Sequence, residues 1–324
     1  MAALQGLQTK TLVCASTYSD FSSLCCCLDD LIRKSGRYDG ADPKFGDVVL
    51  LCDLLEVKND NAKQFCLEWR LQEIMPCMVW KSKIDGLISL LEKEFREMYT
   101  KVTAEADKKN LSALALLKKV FKYKSDVLIK LLDTIWLHSP SDVSSQRVAK
   151  GLAALFDALA TFNNLLSIEA VTENDVKIAF ECASITSSRV KFSTVKSRNK
   201  HRQPMSANVK EIRRSKDKCV EQLEYVKRVL NFPHTKNVEW MRRYLIEESK
   251  ILLSTPSDAH GLHYVSNDKI RMLIVIGAAQ IKECEVVAAF SLPSIGHISL
   301  IGDDAQLCSP TKSEVSHVIL QANS

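Results

Sequence analysis

The chain has 324 residues, 46% of them apolar, with 44 Lys and Arg against 39 Asp and Glu for a formal charge of +5. This is an ordinary globular composition, large enough to bury a substantial core and to hold two domains. The charge permits an anionic partner without requiring one, and no apolar run reaches the roughly 18 residues of a membrane span, so no membrane partner is expected.

The cysteine count is 11, an odd number, with one run at Cys25, Cys26 and Cys27 and the others single within apolar stretches. No pairing pattern is visible. The expected setting is a reducing, intracellular one, nuclear or cytoplasmic, with thiols serving as small core residues. Spacings that ligate metal, such as C-x-x-C or a Cys/His pair on one helical turn, do not occur away from the triplet.

In chain order, Thr9–Ala15 has the composition of a buried strand. Asp20–Lys34 follows as a helix, with Phe21, Leu24, Leu28, Leu31 and Ile32 at helical spacing. Residues 35–45 carry Ser-Gly, Asp-Gly and Asp-Pro turn signals, and Gly46–Val57 predicts a strand centred on Val48–Leu51. From Asn61 to Leu230 glycine becomes rare and apolar residues recur every three or four positions, so this part is predicted to be helical. In Asn110–Trp136, Leu114, Leu117, Phe121, Leu128, Leu131 and Ile135 mark one face, and Lys118, Lys119, Lys122 and Lys130 mark the other. Further helices are expected over Val148–Leu166, Glu173–Ile185, Val209–Leu230 and Val238–Glu248, with Trp69, Trp80, Trp136 and Trp240 as core residues. Arg189–Lys210 contains seven basic residues and no acidic one. It predicts a loop, read either as a solvated connection or as a phosphate-contacting arm.

Lys250–Thr255 predicts a strand ending in hydroxyl residues. Between Arg271 and Pro310 two short apolar runs, MLIVIG and HISLIG, flank a stretch suited to a helix of about three turns. Parallel strands collect ligands past their carboxyl ends, which makes Gly277–Gln280 and Asp303–Gln306 candidate binding loops.

Four stretches together are similar to the plant branch of superfamily 1 helicases, the group related to senataxin and the nonsense-decay helicase. TLVCASTY, Thr11–Tyr18, resembles motif Ia. DPKFGDVVLL with residues 65–92 resembles the insertion that plant members place after it. KILLSTPSDAH, Lys250–His260, resembles the strand and serine/threonine loop before motif II. LIVIGAAQIKECE and LIGDDAQL resemble motifs II and III. The resemblance implies an α/β fold: a RecA-like, P-loop NTPase-type, mostly parallel sheet, incomplete and interrupted by a large helical insertion. It divides the chain into a first sheet part (1–40), a strand-rich connection (41–60), the insertion (61–230) and a second sheet part (231–324). It also implies ATP and magnesium as cofactors and single-stranded RNA or DNA as partner, with Thr17, Ser254 and Thr255 as nucleic-acid contacts. Gln280, Gly302, Asp303 and Gln306 would be what remains of motifs II and III.

The sequence departs from that family where hydrolysis is performed. Ile276 stands where the family holds magnesium with an aspartate, and Gly277 stands where a glutamate activates water. Glu283 and Glu285 lie one to two turns further along. No Gly-x-x-x-x-Gly-Lys-Ser/Thr loop occurs. The sequence is expected to begin just after such a loop and to stop before a second motor domain. The expected protein neither hydrolyses ATP nor binds its cofactors tightly by itself. The alternative is a non-catalytic scaffold that holds a protein partner through the helical insertion.

Overall fold

The computed structural model describes residues 9–18, 20–34, 44–53, 55, 57, 59–105, 112–140, 146–181, 206–233, 235–264 and 269–302. The chain divides into two compact units, one of Met1–Pro76, Leu137–Asp142 and Thr235–Ser324, the other of Cys77–Trp136 and Val143–His234. In chain order the elements are β1 (Lys10–Ala15), α1 (Asp20–Lys34), β2 (Val48–Leu51), α2 (Asp60–Lys63), α3 (Leu67–Ile74), α4 (Trp80–Ser89), α5 (Phe95–Glu105), α6 (Ala113–His138), α7 (Gln146–Ser167), α8 (Glu173–Glu181), α9 (Ala207–Val229), α10 (Val238–Glu248), β3 (Ile251–Ser254), β4 (Ile270–Ile276), α11 (Glu283–Phe290) and β5 (His297–Ile301).

All five strands lie parallel in one sheet of order β2-β3-β1-β4-β5. A parallel sheet needs cover on both faces, and β1 is the strand that has it, being buried from Lys10 to Ala15. Cys14 pairs with Ser254 on one side and Val275 on the other, and Ile276 pairs with both Ala15 and Ile301. The carboxyl ends of these strands therefore finish nearly level. On one face α1 turns Phe21, Cys25, Leu28 and Ile32 onto Val13, Ala15, Val48, Leu50 and Leu253. Their spacings of four, three and four residues draw one stripe along the helix. Each such side chain contributes about 1.5–3 kcal/mol when fully buried.

The two edges of the sheet differ. At β2 the amide of Leu50 donates to Phe65 O at 2.8 Å, and Leu50 bridges to Cys66, so that edge is partly covered. At β5, Ile298, Leu300 and Ile301 are 50%, 60% and 53% exposed.

Arg70, on α3, is completely buried. Its Nη2 donates to Phe45 O at 2.6 Å, Val48 O at 2.7 Å and Gln64 O at 3.3 Å. Asp47 lies close enough to favour the charged guanidinium, but burial outweighs it and lowers the Arg70 pKa to about 10. His138 packs against Phe45 and Trp69, with ring centroids 5.8 and 5.3 Å apart. Burial first and then the Arg70 charge push it down to about 3, so it stays neutral. Lys44, also buried, is lowered by desolvation to about 7. Where the chain returns to the sheet before β3, Lys10 Nζ donates to Ile246 O and, at 3.2 Å, to Glu247 O, in the last turn of α10.

In the helical unit, α6 and α7 meet through Phe121 and Phe162, edge to face at 4.9 Å, and α5 and α8 meet through Phe95 and Phe180 at 4.4 Å. The Cys219 thiol on α9 donates to Ala158 O on α7 at 3.2 Å. Lys124 on α6 bonds both Gly86 O and Glu94, at 3.1 and 3.0 Å.

The structure corrects several expectations. The strand predicted over 46–57 is confined to Val48–Leu51, after a 3-10 turn at Phe45–Asp47. Arg70 claims the carbonyls of Phe45 and Val48, and the Asp47 carboxylate accepts from the Lys44 amide at 3.3 Å. The helical excursion leaves the sheet after β2 and returns at β3, so the strand of the 41–60 connection belongs to the sheet itself. Residues 61–76 group with the sheet. The crossover helix α11 has eight residues, about two turns, because a 3-10 turn at Ala278–Gln280 takes up the chain before it. Leu132 is fully buried on α6, whereas Leu131 is partly exposed. Helix α9 begins at Ala207, where the Ser206 side chain accepts from the Val209 amide at 3.2 Å. Trp240 is 47% exposed and stacks on Tyr244 at 5.3 Å. Residues 35–43 and 189–205 of the predicted connection and basic loop lie outside the described residues. Among the described residues no helix is long and apolar enough to cross a membrane.

Two stability outcomes follow from the buried charges. Arg70→Ala removes the guanidinium donor shared by the Phe45, Val48 and Gln64 carbonyls and should lower unfolding free energy by about 3 kcal/mol in urea titration. Lys44 has a folded pKa below its unfolded value, so its burial penalty is full below about pH 7 and is relieved as pH rises toward 10.5. Lys44→Met should therefore raise stability at pH 6 and flatten the rise between pH 6 and 9, measured against the parent chain.

Candidate functional site

The loops that leave β1, β3, β4 and β5 at their carboxyl ends form the candidate site. Past β1, Ser16 Oγ, Thr17 Oγ1 and Thr17 N all donate to Asp20 Oδ2, at 2.9, 3.0 and 2.9 Å. Past β3 the arrangement recurs: Thr255 Oγ1 donates to Asp258 Oδ2 at 2.7 Å and accepts from Asp258 N at 3.2 Å. In both, a threonine is satisfied by an aspartate three residues on, a turn that starts a helix. Asp20 opens α1, and Asp258 opens the 3-10 segment Asp258–Tyr264.

Tyr18 joins the two turns by donating its hydroxyl to Asp258 Oδ2. Burial and then the Asp258 carboxylate push the phenol pKa up, so it remains a donor. Ser254 is fully buried, and its hydroxyl donates to Thr255 O at 2.9 Å. Of the hydroxyls expected to contact nucleic acid, Ser254 is therefore turned inward. Thr17 and Thr255 lie at the surface with their protons already directed at carboxylates. Phosphate oxygens accept hydrogen bonds and repel carboxylates, so a strand could bond these hydroxyls only by displacing Asp20 and Asp258.

At the end of β4 the side chain of Ile276 packs against the core cluster shared with α1. Gly277 has φ 67° and ψ 35°, the left-handed region that L side chains rarely adopt. The chain then closes a 3-10 turn, with Gln280 N donating to Gly277 O at 2.9 Å. Gly302, past β5, meets this turn: a Cβ there would come 2.9 Å from Ala279 N and 3.2 Å from Ala278 N. The structure thus brings Gln280 and Gly302 to one place. Asp303 and Gln306 lie outside the described residues. Glu283 and Glu285 occupy the first turn of α11. Among the described residues no group of three or more His, Cys, Asp or Glu side chains could hold a metal. The described loop ends form hydrogen-bonded turns, and neither Ile276 nor Gly277 carries a carboxylate.

Periodicity in the sequence does not reveal the Tyr18–Asp258 link or the Asp20 cap. The repeated Thr-x-x-Asp, Thr17/Asp20 and Thr255/Asp258, is the signal that could have found them. A second feature had no signal at all. Cys52, just past β2, donates its thiol to Cys66 at a sulfur–sulfur distance of 3.3 Å.

No protein family and no curated protein matches this sequence.

Substitution at the β4 end has a defined cost. Gly277→Ala adds a methyl to open space, so only the left-handed backbone opposes it, and chemical denaturation should show a loss of about 1–2 kcal/mol. Gly302→Ala drives a methyl into the Ala278–Ala279 backbone. It should accelerate amide exchange in the 278–280 turn, read by hydrogen-exchange mass spectrometry.

Proposed function

We propose that the chain is a helicase-derived motor domain of the superfamily 1 type that has lost ATP hydrolysis and keeps a single-stranded nucleic-acid contact surface. Support comes from the order of elements. The strands resembling motifs Ia, II and III are β1, β4 and β5, adjacent and parallel, with the loops after them at one end of the sheet. The observation that carries the loss of hydrolysis is the pair Ile276 and Gly277, one partly buried against the core and the other left-handed. An acidic pair restored there would place one carboxylate against apolar side chains and the other on strained backbone. ATP and magnesium are therefore assigned no residues in this chain, and nucleic acid would be met through the strand-end loops and the basic stretch 189–210.

A second reading, a protein-binding scaffold, is favoured by two observations. The surface hydroxyls at the strand ends are already spent on Asp20 and Asp258. The helical unit also carries an open cavity of about 510 Å³ between α4 and α6, lined by Leu116, Val120 and Val127 with Lys83, Lys119 and Lys124.

Phosphate release and fluorescence anisotropy on the full chain separate these readings. Expected are no magnesium-ATP turnover with or without single-stranded RNA, no gain from the double variant Ile276→Asp, Gly277→Glu, and RNA binding that weakens steeply with salt. Turnover that scales with chain concentration and disappears in Gln280→Ala would overturn the silent-motor reading. Absence of RNA binding even at low salt would leave the scaffold.

A further inference from the structure

Cys52 and Cys66 stand at the border between the sheet and the helical excursion, and no sequence spacing marks them as a pair. Cys52 follows β2 and is partly exposed. Cys66 is fully buried immediately before α3, next to Leu50 of the strand that Cys52 ends. Their sulfurs are 3.3 Å apart with Cys52 as donor, and the Cys66 thiol in turn lies 3.5 Å from Cys52 O. The two side chains have therefore already met, and little chain movement separates contact from a covalent bond. Three other buried thiols differ. Cys14, Cys25 and Cys219 are each pushed up to about 12 by burial, which keeps them protonated and unreactive. Cys66, by contrast, is held below its ordinary value, at about 7. The Cys52 hydrogen bond is the chief cause, and the backbone amides of Trp69 and Glu68 assist against burial.

We propose that Cys52 and Cys66 are a reversible redox site that closes to an intramolecular disulfide, with a small peroxide as the oxidant. Peroxide reaches the partly exposed Cys52 first, and as the sulfur attacks, the thiol proton passes to the departing oxygen of the peroxide. The Cys52 sulfur takes one oxygen as the O–O bond breaks, leaving a sulfenic acid and releasing water. The Cys66 sulfur then attacks the Cys52 sulfur. The S–O bond breaks, and hydroxide leaves with the remaining proton as a second water. Two thiols and one hydrogen peroxide become one disulfide and two waters, with the two electrons lost by sulfur gained by peroxide. A dithiol reverses the step by exchange.

The position gives the bond a consequence. Cys52 is close enough to Tyr18 to contribute to raising its pKa, so the pair borders the Tyr18–Asp258 link at the strand ends. Oxidation would tie the chain leaving β2 to the start of α3 beside that link.

The test treats the reduced full chain with hydrogen peroxide, blocks remaining thiols with N-ethylmaleimide and maps non-reduced peptides by mass spectrometry. A Cys52–Cys66 cross-linked peptide should dominate the disulfides formed and vanish on dithiothreitol treatment. In Cys66→Ser the resolving thiol is gone, and dimedone labelling of Cys52 should rise several-fold over the parent chain. Recovery of both cysteines alkylated while other thiols oxidise would overturn the proposal, as would a dominant bond from either to a different cysteine. The parent-chain mapping decides the matter even if the serine variant fails to fold.

Discussion

The sheet depends on two buried cations that hold the long excursion between adjacent strands. β2 and β3 are hydrogen-bonded neighbours, yet the chain between them runs from Cys52 to Lys250 and builds most of the helices. Closing so long a loop costs conformational entropy, and the ends must be fixed for the strands to pair. Arg70 fixes the exit by donating to Phe45 O, Val48 O and Gln64 O. Lys10 fixes the return by donating to carbonyls in the last turn of α10, where the helix dipole favours a cation. The Lys250 amide completes the junction with a 2.8 Å bond to Asp47 O.

That junction has an electrostatic cost, carried by its neighbours. Lys44, Arg70 and His138 all have pKa values lowered chiefly by burial, so each is harder to charge than in water. Neutral His138 resolves part of the conflict beside the guanidinium, and Asp47 opposes the rest. Charge is tolerated here because the Arg70 guanidinium bonds three backbone carbonyls at once, those of Phe45, Val48 and Gln64.

At the opposite end of the strands the constraint is conformational. The left-handed backbone at Gly277 and the close approach of Gly302 to the Ala278–Ala279 turn define one another. Ile276 anchors that turn by packing inward. Space is open beside residue 277, so it is the left-handed backbone, and not crowding, that disfavours a side chain there. Hydroxyl groups nearby have likewise been drawn into turn formation by Asp20 and Asp258.

The sequence by itself determined the strands and most helices, because burial periodicity is local. Asp20–Lys34 and Val238–Glu248 have the bounds expected of them, and the α/β class follows from the apolar runs at β1, β3, β4 and β5. The absence of acids at 276 and 277 was equally legible, since it is a matter of residue identity. Only tertiary structure decided that β2 joins the sheet beside β3 and that Ser254 turns its hydroxyl inward. It likewise decided that Tyr18 reaches Asp258 across 240 residues and that Cys52 meets Cys66. These are contacts between residues distant in sequence or placed by a fold-back. No local pattern encodes which donor finds which acceptor until the sheet order brings them together.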